Sequence, residues 1–133
     1  MTIIRDDLVA GSEPEREHFS GNVWTQRPTA PTDSRFRPSL VSFGPGSRTN
    51  WHRHPQGQLL YVVSGRGRLG TEEGLVLGLR SGDVVLAEAK KQHWHGAAPD
   101  SPMVHLSVTL HESPGVDDTD WGDPVQDGDY DRT

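Results

Sequence analysis

The chain contains no cysteine, which removes disulfide frameworks and thiolate sites together and fits a reducing cytoplasm. No apolar run approaches the length that spans a bilayer. The opening MTIIRDDLVAGSEPERE also lacks the basic-then-apolar order of a secretory signal. Location in the cytoplasm, with no membrane partner, is the expectation. Hydrophobic residues make up only 32% of the chain, and its formal net charge is −6. An acidic chain is a poor match for nucleic acid or anionic lipid, so a small molecule is the expected partner. The 133 residues suffice for one domain with a single core. Among them are 15 glycines and 10 prolines, which suit short strands and tight turns better than helices.

In chain order, residues 1–17 show no clear period and read as an arm. Residues 18–24 read as an early strand, followed by an irregular connection over 27–37 that is rich in proline. Strands are expected at 40–43, 49–54, 58–64, 67–71, 75–80, 84–87, 93–96 and 103–110, with 67–71 and 75–80 forming a hairpin around Glu72-Glu73-Gly74. Eight to ten short strands with no amphipathic helix predict an all-β sandwich or barrel in a single domain spanning 1–133, with the barrel itself at 18–110. In the acidic segment 111–133, seven aspartates between Asp117 and Asp131 read as solvated and lack the spacing of an EF-hand. Trp121, Val125 and Tyr130 in the same segment predict packing on the barrel or on a second subunit.

The chemistry concentrates at residues 46–65, GSRTNWHRHPQGQLLYVVSG. His52 and His54 are two apart, so on an extended strand both point to one face. His93 and His95 repeat that arrangement. Neutral imidazoles converging with the amide of Gln58 make sense around a divalent cation, because imidazole is a common ligand of transition metals. His18 and His111 lack such partners and read as ordinary hydrogen-bonded residues. Trp51 and Trp94 have opposite parity to the neighbouring histidines and read as packing residues, and Lys90 and Lys91 as solvated turn charges.

The spacing Gly46, five residues, His52-x-His54, three residues, Gln58, six residues, Gly65 resembles the first cupin motif, with Gln58 where most members carry Glu. Gly82, ten residues, His93 resembles the second motif, sixteen residues beyond Gly65. Glu88, Lys90 and Ala97 depart from the general pattern of that motif around the turn. RTNWHRHPQGQ, GDVV, KQHWHGAAP, MVHLSV and DWGDPVQDGDY extend the resemblance to bacterial single-domain cupins that act as manganese-dependent hydroxynitrile lyases. It implies a cupin jelly-roll β-barrel, metal ligation by His52, His54, Gln58 and His93, and Mn(II) as the ion. Fe(II), Zn(II), Ni(II) and Co(II) stay open, because affinities follow the Irving–Williams order and not biological use.

By parity His95 lies beside the metal, and an unligated imidazole there suits proton transfer. In 103–110, hydrophobicity alone turns Val104, Leu106 and Val108 inward and His105 outward. The resemblance implies the reverse, with His105 in the cavity as a second catalytic residue, the aliphatic face in a dimer interface, and Thr49 with Gln58 near the substrate oxygen. Strand 58–64 is apolar on both faces, which also predicts burial against another chain and a homodimer or homotetramer. Three imidazoles and an amide leave the full charge on the ion, a stronger Lewis acid for an alkoxide-like group, and the resemblance implies a lyase that cleaves or forms cyanohydrins. The alternatives are a metal-dependent dioxygenase or isomerase, and a non-catalytic ligand-binding cupin.

Overall fold

The computed structural model describes Ile3, residues 16–27 and residues 34–132. Most of the arm at 1–17, and the part of the connection holding Pro28 and Pro31, lie outside the described residues. Among the described residues, a 3-10 turn at Arg16–His18 leads into eleven strands. These are β1 Phe19–Ser20, β2 Val23–Gln26, β3 Phe36–Phe43, β4 Arg48–Thr49, β5 His52–Arg53, β6 Gln58–Thr71, β7 Val76–Arg80, β8 Val84–Ala87, β9 His93–Ala97, β10 Met103–Leu110 and β11 Asp120–Trp121. A single helical turn, α1, covers Asp127–Tyr130.

All described pairings are antiparallel, and β6 holds them together. Its first half pairs with β8 and β10, its second half with β7 and β9. Two walls result, β8-β6-β10-β3-β2 and β7-β6-β9-β4-β1, with β5 and β11 added beside β9. Reading 58–64 and 67–71 as separate strands was therefore wrong: the chain bends without breaking its ladder. Gly65 makes the bend possible, because its φ is +78° and a Cβ there would lie 1.9 Å from the Pro102 carbonyl oxygen.

The core fills the base of the space between the walls with Val23, Val41, Phe43, Leu60, Val62, Leu69, Leu79, Ala97 and Met103. Strand alternation explains the sidedness. On β6, Leu60 and Val62 are fully buried, while Leu59, Tyr61 and Val63 on the other parity are exposed. Strand β9 is buried at all five positions, on both faces. Its outer residue Trp94 lies over Gly70, where a Cβ would fall 2.0 Å from the indole nitrogen, and is covered by Val125 and Tyr130. The Tyr130 hydroxyl donates to the Ala97 carbonyl at 2.6 Å, and its ring is flanked by the guanidinium groups of Arg48 and Arg68. The tail thus seals the outside of the strand that carries His93 and His95. No helix among the described residues is long and apolar enough to cross a membrane.

Candidate metal centre

Four imidazoles meet where β5 and β9 run side by side. Pairing of His52 with His93 sets their rings 4.4 Å apart between centroids. The His54 ring is 5.0 Å from His52 and 5.7 Å from His93, and the His95 ring is 5.1 Å from His52. His54 lies just past the end of β5, so the extended strand expected over 49–54 is two short pieces instead. Pro55 follows it and favours an extended backbone at His54, which keeps the ring turned in.

The hydrogen bonds decide which ring nitrogens are free. His52 Nδ1–H donates to the Asn50 carbonyl at 2.9 Å, and His93 Nδ1–H to the Lys91 carbonyl at 3.2 Å. A carbonyl only accepts, so each ring must carry its proton on Nδ1 and keep a lone pair on Nε2. His54 Nδ1 is held by the Thr119 hydroxyl at 3.3 Å. Gln58 Nε2 donates to Thr109 Oγ1 at 3.0 Å, which turns its amide oxygen the other way. Nε2 of His54, His93 and His95, and Oε1 of Gln58, are buried with no hydrogen-bond partner. Buried acceptors left this way cost stability unless something binds them. The donor set therefore fits a divalent cation, with the outer nitrogens braced as metal-bound histidines usually are.

His52, His93 and His95 form the tight group, their ligating atoms all within 4.8 Å of one another. The motif spacing selects His52, His54 and His93 instead. His52 and His93 belong to both sets, and His95 differs from His54 in one respect. Its Nδ1 is bonded to His105 Nε2 at 3.0 Å, ring to ring. His105 is only 1% exposed and faces inward, against the hydrophobicity-only reading of β10. Its inward neighbours Ser107 and Thr109 are buried too, so this strand presents its polar parity to the cavity and its aliphatic parity outward.

Charge follows burial. Desolvation holds His52 well below the usual imidazole pKa, with the neighbouring His93 and His54 rings adding to it. Desolvation and then His105 do the same to His95. Burial lowers His93, and takes His54 and His105 down to about 4. All five are neutral at pH 7, the state in which imidazole ligates metals and accepts protons.

These groups border a cavity of about 320 Å³ whose lining includes His52, His54, Gln58, His95, His105 and Thr49. His93 stands outside that lining, behind His52. Thr49 Oγ1 accepts from the His95 backbone N–H at 3.2 Å and so fixes β9 in place. His111 also borders the cavity, paired with Asp118. The sequence reading did not assign Thr119, Trp121, Ser39, Thr109 or Arg37 to this cavity. Trp121 packs its ring 4.7 Å from His52 and stacks on His18 at 4.2 Å. Alternation along β3 and β10 was the signal available for Arg37, Ser39 and Thr109.

Comparison with known proteins agrees with this architecture. A family model described as a cupin domain matches residues 39–109. The chain is 41% identical over 133 residues to an (R)-mandelonitrile lyase of Granulicella tundricola, spanning 99% of this chain and 100% of that protein. A crystallised cupin-like protein of Thermotoga maritima is 35% identical over 90% of each chain, with a TM-score of 0.81. A polyketide cyclase of Streptomyces resistomycificus shares the fold alone, at 18% identity and a TM-score of 0.71 over 98% of this chain and 90% of that one. With that model covering more than half of it and a relative aligned along nearly all of it, the chain belongs to the cupin family.

Proposed function

We propose that this cupin is a metal-dependent lyase that cleaves cyanohydrins to an aldehyde and hydrogen cyanide, and forms them in reverse. The observation that carries the reading is the cluster of orphaned, uncharged donors, His54, Gln58 and His95 lining one cavity and His93 against His52 at its edge, in a chain similar over nearly its whole length to a mandelonitrile lyase. His52, His54, His93 and Gln58 are the residues that would hold the ion, with Mn(II) the preferred occupant. A cation bound by four neutral donors supplies an undiminished Lewis acid that lowers the pKa of a substrate hydroxyl.

The chain's own residues then handle the protons. In the tautomer where His95 Nδ1–H donates to His105, the lone pair of His95 Nε2 is free to take the hydroxyl proton. As the carbinol oxygen becomes a carbonyl, the bond to the nitrile carbon breaks and its electron pair leaves as cyanide. His105 in that tautomer carries its proton on Nδ1, which has no partner in the protein and can be given to the departing cyanide. Passing the Nδ1 proton of His95 to His105 Nε2 leaves both rings neutral but in the opposite tautomers. Exchange with solvent after product release, which adds a proton at His105 Nδ1 and removes one from His95 Nε2, resets the pair for the next turnover. Thr49 holds His95 in position, and the buried apolar base formed by Val41 and Phe43 keeps water from the reacting carbon.

The exposed outer parity of β6 and β8, with Leu59, Tyr61, Val63, Val84 and Leu86, is the face assigned to a second copy of the chain. A chain without cysteine is compatible with a reducing cytoplasm, the compartment proposed for the reaction. The test of the lyase is to load the protein with Mn(II), add mandelonitrile and follow benzaldehyde. Release above that of a His95→Ala control is expected, and equal rates would overturn the reading.

A further inference from the structure

We propose that the wall of the cavity facing the imidazoles is a carboxylate-binding subsite built around Arg37, with Arg27 beside it, and that the natural substrate carries a carboxylate distal to its reacting carbinol. This inference rests on the lyase reading only for the identity of the reacting end.

The placement follows from register. Arg37 pairs with Thr109 across β3 and β10, and Thr109 pairs with Gln58 across β10 and β6. All three have inward parity, so Arg37, Thr109 and Gln58 form one row across the inner wall, tied at one end by the bond from Gln58 to Thr109. Two strand spacings separate the backbones at the ends of that row, about 10 Å. Arg27 extends the inward face of Val23 and Thr25 on β2. Continuing the β2–β3 register sets it opposite Ser39, on the diagonal to Arg37.

Both arginines border the cavity, and among the described residues neither makes a hydrogen bond or ion pair. The carboxylate bordering the same space, Asp117, accepts from the Thr119 backbone N–H at 3.1 Å and is close enough to feel the charge of Arg27, so the guanidinium without a neighbouring carboxylate is that of Arg37. Two guanidinium groups therefore stand at the cavity of a chain whose formal net charge is −6. A cation inside an acidic protein would ordinarily be neutralised by a neighbouring carboxylate, and this chain has 19 acidic residues from which to supply one. Instead the fork of Arg37, partly shielded from water, faces the cavity with its donors unused. A planar carboxylate matches that fork with two parallel bonds. The spacing leaves room for an aromatic ring or short chain between the carboxylate and the carbinol.

The experiment compares 4-(hydroxymethyl)benzoate with benzyl alcohol, neither of which has a bond to cleave, by calorimetric titration of the Mn(II)-loaded protein. The carboxylate is expected to bind at least tenfold tighter. Arg37→Gln is expected to abolish that preference and Arg37→Lys to keep part of it, with unfolding midpoints showing that each variant is folded. Equal binding of the two probes, or a preference that survives both Arg37→Gln and the Arg37→Gln/Arg27→Gln double variant, would overturn the proposal. Because binding is read without turnover, a protein that prefers the carboxylate but leaves mandelonitrile intact refutes the lyase alone. One that releases benzaldehyde but shows no preference refutes the subsite alone.

Discussion

The two inner walls of the barrel are built from the same kind of strand and do opposite things with polar side chains. On the wall of β5 and β9, His52 and His93 are braced at Nδ1 by backbone carbonyls and His95 by the His105 ring, and Nε2 of His54, His93 and His95 is left without a partner. On the wall of β3 and β10, His105 reaches across to His95 and the remaining groups are hydroxyls and a guanidinium, of which Thr109 and Ser107 already have partners within the protein. Unsatisfied acceptors on one side call for a cation. The paired hydroxyls of Thr109 and Ser107, beside the unpartnered Ser39 Oγ and the fork of Arg37, shape what else enters from the other side. Gln58 belongs to both, since its amide N–H is spent on Thr109 and its oxygen is kept for the centre.

The largest break in this division comes from the imidazole wall. Loss of His52 removes a donor common to both candidate triads, so His52→Ala should cut metal affinity by more than about 100-fold, beyond what losing a supporting partner costs. Metal content after dialysis against a chelator measures it. The comparison between His54→Ala and His95→Ala is sharper. With His54 a ligand and His95 the base, His54→Ala loses metal and turnover together, while His95→Ala keeps the metal and loses turnover by about 10²–10⁴-fold. Metal lost in His95→Ala and retained in His54→Ala would hand the ligand role to the tight group His52, His93 and His95.

The next effect separates the walls by pH. Burial, joined at His54 by the neighbouring His93 ring, pushes the folded imidazoles below the pKa of about 6.5 they have when unfolded, His54 and His105 to about 4. Between those values the unfolded chain binds more protons than the folded one, so stability rises with pH across that window. Metal-free protein should therefore lose unfolding temperature steadily from pH 6.5 toward pH 4 and change little from pH 7 to 8. Mn(II) should raise the midpoint at pH 7 and cease to do so near pH 5, because protons and metal compete for Nε2. A midpoint flat from pH 7 to 4 would mean that the imidazole wall is hydrated and not sealed.

Much of the imidazole wall is legible in the linear sequence because its ligands come in local pairs. The i, i+2 spacing of His52 with His54 and of His93 with His95 holds them to one side over a few residues, even though β5 ends before His54. The opposite wall is hidden for a physical reason. Alternation alone makes two faces for 103–110, one aliphatic and one carrying His105, Ser107 and Thr109. Apolar burial is the stronger general force, so it points the wrong way wherever a cavity is polar. Local pattern cannot show that the aliphatic face is the outer one; the family resemblance implies it, and the surrounding fold has it so. The continuous β6 was hidden likewise, since Gly65 and Gly67 read as a break when the first is a bend. Trp121 and Thr119 reach the site through pairing of β11 with β5, across some sixty-seven residues of chain, a distance at which no local period carries information.

Thr119 gives the smallest and most discriminating prediction. Its hydroxyl lies 3.3 Å from His54 Nδ1, and its strand-like neighbours Asp120 and Trp121 are held by β5, so the side chain arrives already placed. Replacing Thr119 with valine keeps the shape and deletes the hydroxyl that braces the ring at Nδ1. If His54 is a ligand, Thr119→Val should weaken metal binding about tenfold, at the lower end for a supporting partner, with little change in the metal-free unfolding temperature. If the tight group holds the ion instead, the same variant should leave affinity unchanged, because His52 and His93 are braced by backbone carbonyls that no substitution at 119 removes. One methyl-for-hydroxyl exchange, read by metal titration, thus reports which imidazole beside His52 and His93 completes the centre.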